Sequence, residues 1–334
     1  MEKKRMVLFL SCLSFFVLVS FDVFAGSSKK ALGPATPASC VDIAAPGCSP
    51  AKINTRGWED SPYVTPDDQK LYFMYTPWNF FPTFKGEKFP VKAGPDRPGH
   101  HHNASPWEDA DLYVSTKNPD GTWGAPVNLP FNNETGDCCG MPSADGNQFY
   151  FAKPNPPGSP KMDIYMAKKN PGAGWGRPEW LGPSVNTKFH EDNPHISKNG
   201  MTLYFMSDRI GGFGKRDLYY SSRRMDGTWD VAVNMGQNIN RGDEDLIWVS
   251  DDQTAIYFGR FNELTPFRSE MKNGKWTDPA PVHFGTNKII SEVSFSNGGR
   301  KAYFAVIDFD KNDIIISYSQ LQPDGTWSAP KAVD

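Results

Sequence analysis

The pattern of apolar and polar positions divides the chain into two unlike parts. From Met6 to Phe21 nearly every residue is apolar, behind a positive cluster Lys3-Lys4-Arg5 and ahead of Asp22. Beyond residue 52 no such run recurs. Short stretches rich in β-branched and aromatic residues alternate there with Gly, Asn, Asp and Ser. They read as short strands joined by tight turns, and no segment of this part carries a helical period.

The strand pattern is itself periodic. Trp123, Trp175, Trp229, Trp276 and Trp327 follow one another at intervals of 52, 54, 47 and 51 residues. Three of them close the same turn, Asp120-Gly121-Thr122-Trp123, Asp226-Gly227-Thr228-Trp229 and Asp324-Gly325-Thr326-Trp327. A second marker keeps step: Leu71-Tyr72-Phe73, Phe149-Tyr150-Phe151, Leu203-Tyr204-Phe205, Ile256-Tyr257-Phe258 and Ala302-Tyr303-Phe304. A third is an Asp leading an apolar run, at Asp111, Asp163, Asp217 and Asp313, which the fourth repeat lacks. Each unit holds four strand candidates, so the expectation is an all-β, five-bladed β-propeller of four-stranded antiparallel blades. Blades are expected at about 59–135, 136–187, 188–241, 242–288 and 289–334. The sequence ends at Asp334 before its last repeat reaches a Val-Asn-Thr or Ile-Asn-Arg segment like those at residues 185–187 and 239–241. Ile53-Asn54-Thr55-Arg56 supplies the missing piece, so residues 53–58 are expected to close the ring.

Two stretches carry a family resemblance. The run from Glu59 to Phe73 (EDSPYVTPDDQKLYF) and the run from Ser207 to Tyr219 (SDRIGGFGKRDLY) resemble the TolB-type, WD-repeat-like propeller repeat of bacterial envelope proteins. The resemblance spans residues 53–334. It implies a propeller fold and a periplasmic binding or scaffolding role. Residues 53–334 are taken up by repeats, which leaves none for the peptidoglycan-binding domain that such proteins often carry.

The amino-terminal pattern agrees with export. Val23-Phe24-Ala25 follows the apolar run as a cleavage site, so residues 1–25 read as a signal peptide and residues 26–52, rich in Ala, Pro and Ser, as a linker. The product would be periplasmic or secreted, with no membrane span after signal removal. Four cysteines remain, for which disulfides Cys40–Cys48 and Cys138–Cys139 are one pairing, two cross-bridges being the other. The formal charge is −3 and no long Lys/Arg run occurs, which gives no footprint for nucleic acid.

Candidate chemistry gathers in the predicted innermost strands. Aligning the repeats on Thr65, Ser143, Ser197, Ser250 and Ser296 brings acidic residues to one end: Glu59, Asp60, Asp137, Glu191, Asp192, Glu244 and Asp245, with Glu292 one step further in. Such a ring would raise some carboxyl pKa values or recruit Ca²⁺, while the same residues could equally bond backbone amides of neighbouring blades. Between Phe73 and Asp111 lies a long insertion with Trp78, Phe80, Phe81, Phe84, Phe89, Trp107 and the run His100, His101, His102. It is expected to overhang the acidic mouth, where its histidines could hold Zn²⁺, Cu²⁺ or Ni²⁺, or else cover the blade as a polar loop. Trp107 and Arg209, the latter in a glycine-rich loop on the same face, complete the candidate ligand set. His195 is read as a packed core or channel residue.

These features leave three readings. The preferred one is a non-catalytic exported propeller that binds an envelope protein, peptide or glycan at its mouth face. A second is an inverting glycoside hydrolase using Asp60, Asp192 and Glu244 from separate blades. A third is a metal-dependent envelope protein built on the histidine loop.

Overall fold

The computed structural model describes residues 6–8, 17–19, 40, 44–260 and 263–334. Apart from two paired strands, Met6–Leu8 and Val17–Val19, the segment read as an export signal lies outside the described residues. Cys40 and Cys48 form a disulfide with their Cα atoms 5.3 Å apart. No helix among the described residues is long and apolar enough to cross a membrane.

From Trp58 the chain folds into five antiparallel sheets, and the fold is the expected five-bladed propeller. The first blade runs through strands Trp58–Val64, Lys70–Thr76, Asp111–Thr116 and Val127–Asn128. The third repeats this order with Glu191–Ile196, Thr202–Ser207, Asp217–Ser222 and Val233–Asn234. The second begins at Cys138–Pro142 and the fourth at Glu244–Val249. In the fifth the innermost strand is split into Ile289–Ile290 and Ser294–Ser296.

The repeated residues have repeated jobs. Thr65, Ser143, Ser197 and Ser250 each cap the hairpin between first and second strands; Ser197 Oγ, for instance, accepts from Thr202 N at 2.9 Å and donates to Asn199. In the Asp-Gly-Thr-Trp turns the Asp carboxylate takes both the backbone N–H and the hydroxyl of the Thr, while glycine holds φ near +85°, which other residues resist. Leu71, Phe73, Phe149, Phe151, Leu203 and Phe205 are fully buried. The tyrosine between each such pair reaches the following blade. Tyr72 packs on Phe149, Tyr150 on Trp229 and Tyr257 on Phe295, and Tyr204 donates to Gln253. Tyr303 completes the circle by donating to Asp68 of the first blade.

An asparagine joins each of four blades to the connection that leaves it. Asn186 Oδ1 accepts from Ile164 N at 2.7 Å and its Nδ2 donates to Ile164 O at 2.9 Å, so the side-chain amide imitates a strand partner. Asn132 does the same to Leu112 and Asn240 to Leu218. Asn54 makes the identical pair with Ile316, at 2.7 and 3.1 Å, across the gap between the fifth blade and the first. This geometry also revises one sequence marker. Ile315, not Asp313, stands where Asp111, Asp163 and Asp217 stand, because Asp313 lies three residues before the bonded Ile316 and the others lie one before theirs.

The insertion in the first blade packs down onto the ring. It contains the one helix among the described residues, Phe81–Phe84. Phe81 and Phe84 meet Phe309 of the fifth blade at 5.5 Å, and Phe80 lies between Trp58 and Trp107.

Candidate functional site

In each of the first three blades the innermost strand is broken by a bulge at its acidic end. Ser61, Cys139 and Asn193 hold φ of 53°, 52° and 51°, and the pairing register slips there. A bulge ends the strict alternation of faces. It places the residues that follow, rather than the acidic pair, on the central channel. The channel is lined by residues 61–63, 139–141, 193–195, 247–248 and 292–294.

This cavity measures about 40 Å³, enough for about three water molecules and well below the ~300 Å³ of small-molecule pockets. Ser61 Oγ donates to Glu292 Oε1 at 3.1 Å. Glu292 Oε2 and Asn193 Oδ1 have no hydrogen-bond partner among the described residues. Burial first, and the Asp60 charge second, hold the Glu292 carboxyl well above the usual range. His195 sits in the same wall between Tyr63 and Trp248, with Nε2 3.1 Å from Val249 O. Burial lowers its pKa to about 4, so the ring is neutral and matches the packed channel histidine expected from sequence. Cys138 and Cys139 are buried beside it, and neither is a free thiol.

The other acidic candidates are turned into the seams between blades. Glu59, Glu191 and Glu244 are fully buried. Glu191 accepts from Thr187 N, Thr187 Oγ1, Ser207 Oγ and Arg209, and Glu59 accepts from Thr55 N, Thr55 Oγ1 and Arg97. Glu244 takes the N–H groups of Arg241 and Gly242 with Arg260 Nε. Each arginine also donates to the connection it crosses, at Val185 O, Ile53 O and Ile239 O, and stacks on an aromatic pair. Arg209 is thus committed to the seam, and the same arrangement recurs with Arg97 and Arg260. Sequence reasoning passed over those two residues. Arg260 stands two residues beyond Phe258, as Lys153 stands beyond Phe151, whereas Arg97 arrives from the insertion and has no register to reveal it.

The Asp residues are bound as well. Asp60 accepts from Ser61 N and from Ser291 Oγ of the fifth blade. Asp192 takes Asn193 N and lies 3.3 Å from His190 Nε2. Asp245 accepts from Asn193 Nδ2 of the preceding blade and from Arg216. A hard cation or a sugar would need several of these oxygens to converge, and they are spread over separate seams.

Asp137 is the weakest of these joints. Lys153 Nζ stands 3.7 Å from Oδ1, which has no hydrogen-bond partner among the described residues. Burial pushes the carboxyl up to about 7 against the pull of Lys153. The folded value is above the unfolded one, so this stability is complete below about pH 4 and lost as pH rises through about 7. Urea unfolding of the wild type and Asp137→Asn should show the wild type losing up to about 4 kcal/mol relative to the variant between about pH 4 and pH 8. A pH-independent difference would refute this assignment.

The histidine loop lies over the outer part of the first blade, not over the channel. His100 is buried against Tyr75 and Tyr113, and Trp107 is packed on Phe80. The mouth face is instead marked by the loop from Asp208 to Arg216. Asp217 accepts from Phe213 N and Gly214 N, Arg216 is bonded to Asp243 and Asp245, and a Cβ on Gly214 would meet Gly242 O at 1.6 Å. The loop is therefore fixed against the next blade. It still leaves Ile210 84% and Phe213 53% exposed.

No protein-family model and no curated protein sequence matches the chain. Among solved structures it is similar to TolB from Acinetobacter baumannii, at 14% identity and a TM-score of 0.48 over 84% of this chain and 56% of that one. It is similar to a putative TolB from Agrobacterium tumefaciens, at 16% identity and a TM-score of 0.46 over 84% and 82%. A periplasmic gluconolactonase from Pseudomonas aeruginosa gives 11% identity and a TM-score of 0.40 over 82% and 72%. The chain spans a little over half the length of the Acinetobacter protein. By its own sheet arrangement the chain is a five-bladed β-propeller.

Proposed function

We propose that this protein is an exported, non-catalytic binding module that docks a protein or peptide partner on its mouth face, in the periplasm or outside the cell. The observation that carries this is the loop from Asp208 to Arg216. Two large apolar side chains, Ile210 and Phe213, stand in solvent on a backbone anchored at Asp217, Arg216 and Gly214. A rigid loop loses little entropy on binding, and apolar anchors of this size dominate interface energetics. Binding is favoured over glycoside hydrolysis because Asp60, Asp192 and Glu244 are buried and bonded into seams.

The test is the double variant Ile210→Ser/Phe213→Ser in crosslinking against envelope extract. The variant should keep the wild-type melting temperature and lose the partner captured by the wild type. Capture unchanged in the variant, or turnover of an arabinan or fructan by the wild type, would overturn the proposal.

A further inference from the structure

The insertion in the first blade gathers a set of nitrogen and oxygen donors that the mouth face does not use. We infer that His100 Nε2, His102 Nδ1 and Asp109 Oδ1 form a binding site for a first-row transition-metal cation of the Zn²⁺, Cu²⁺ or Ni²⁺ class. The inference is independent of the partner surface at Ile210 and Phe213.

Three observations support it. The first is donor spacing. Asp109 Oδ1 lies 2.9 Å from His100 Nε2 and 3.5 Å from His102 Nδ1, and each of the three residues offers a donor atom within 4.8 Å of the others. Tetrahedral ligands at Zn–N and Zn–O bond lengths sit about 3.3 Å apart, so a small inward adjustment suffices.

The second is what surrounds the donors. Each histidine has its remaining nitrogen facing a carboxylate: His100 Nδ1 is 3.5 Å from Asp111 Oδ2, and His102 Nε2 is 3.5 Å from Asp96 Oδ1. His100 Nδ1 is also 3.2 Å from Tyr113 Oη. Asp109 is oriented in turn, since Trp78 Nε1 donates to its Oδ2 at 2.6 Å and Asn103 N to its Oδ1 at 3.3 Å, on the side that faces the histidines. Carboxylates behind ligating histidines fix the tautomer and raise ligand basicity, and this arrangement occurs here on both rings.

The third is access. The side chains of His100 and Asp109 are 1% and 2% exposed, whereas His102 is 45% exposed. The site is floored by protein and open on one side, which leaves room for a water or another ligand in a fourth position.

The sequence pointed to the three consecutive histidines, and the structure redraws the set. His101 turns away, with its N–H and Nδ1 both on Asp111 Oδ2. Asp109 takes its place, seven residues beyond His102 and brought back by the loop. A cation here would pin residues 100–109 to the blade, since its donors come from both ends of that stretch.

The test is titration of the full chain, purified without a histidine tag, with Zn²⁺ in competition with a chromophoric chelator, repeated with Co²⁺. The expected result is one equivalent bound, with the strong visible absorption of a four-coordinate Co²⁺ site. His102→Ala, an exposed position, should weaken binding by at least about tenfold, and His101→Ala should leave it unchanged. Asp109→Asn checks the oxygen donor and should also weaken binding. The inference is overturned if no stoichiometric cation binds. It is equally overturned if His102→Ala binds as the wild type does, or if His101→Ala loses the cation while His102→Ala keeps it.

Discussion

Replacing Asn54 by alanine should open the ring, while the same change at Asn186 should only weaken it. Both residues present a side-chain amide to the N–H and C=O of a third-strand residue, Ile316 for Asn54 and Ile164 for Asn186. Ile164 and Ile316 are fully buried, so each substitution leaves a backbone N–H without its acceptor, while the carbonyls keep the N–H groups of Leu181 and Val333. The loss should be about 1–3 kcal/mol in either variant. The consequences then diverge. At Asn186 the polypeptide itself still ties the second blade to the third. At Asn54 nothing covalent spans the gap, and the remaining ties are non-covalent: Asn54 N to Asp334, Ser291 to Asp60, Tyr303 and Lys301 to Asp68, and Phe309 against Phe81 and Phe84. Hydrogen exchange should therefore show lost protection at residues 313–320 in Asn54→Ala, with the third blade unaffected. Asn186→Ala should lower the melting temperature without a local loss in the fifth blade. Equal exchange patterns in the two variants would mean that the ring is held elsewhere.

The second large effect is expected at Arg97. Its guanidinium donates to Pro50 O, Ile53 O and Glu59 Oε1 and lies 4.2 Å over the Tyr75 ring, with both it and Glu59 shut off from solvent. Arg97→Ala leaves a buried carboxylate with the Thr55 donors alone, and removal of one partner of such a pair typically costs about 3–5 kcal/mol. The cost should depend on pH. Burial already raises Glu59 to about 7 against the opposing charge of Arg97. Without Arg97 the carboxyl rises further, so the folded variant keeps a proton that the unfolded chain releases. Its stability then falls as pH climbs past the unfolded value, and the penalty should be larger near pH 8 than near pH 5. Arg97→Met combined with Glu59→Gln should recover much of the loss, since a buried pair replaced as a unit is far less costly than one broken. Denaturant unfolding of the wild type, Arg97→Met, Glu59→Gln and the double variant at both pH values decides it. Additive losses would show that the two side chains are not coupled.

The repeat was legible because its markers are local devices. Asp-Gly-Thr-Trp is a turn whose hydrogen bonds close within four residues, and Thr65, Ser143, Ser197 and Ser250 cap hairpins that lie next to them in sequence. Residues whose contacts are short in sequence carry their structural reason with them. The channel register was readable for the same cause: Tyr63, Met141, His195, Trp248 and Ser294 sit at fixed distances from those caps and do line one wall. What the linear pattern conceals is orientation past the bulges. Alternation alone allows only one of Glu59 and Asp60 to face the opening, and the left-handed residue at Ser61 resets the count. The destinations of Glu59, Glu191 and Glu244 depended on arginines from other strands, and in the first blade on one delivered by a long loop. Asp109 was hidden similarly, as it sits just before a strand and gains its role only when the loop folds back onto His100 and His102.

The seam at Asn54 makes the molecule a circle in its hydrogen bonds and a line in its covalent chain. Three joints of the same chemistry, at Asn132, Asn186 and Asn240, are each backed by an unbroken backbone, so tension applied around the rim passes through peptide bonds there. Between the fifth blade and the first the same tension falls on hydrogen bonds and packing alone, among them the two Asn54 amide bonds, the bonds to Asp60 and Asp68, and the rings around Phe309. Any breathing of the ring, whether from heat or from a mechanical pull, is therefore expected to begin at this one place. It will bare the faces of Ile316, Tyr303 and Val333 before any other part of the core.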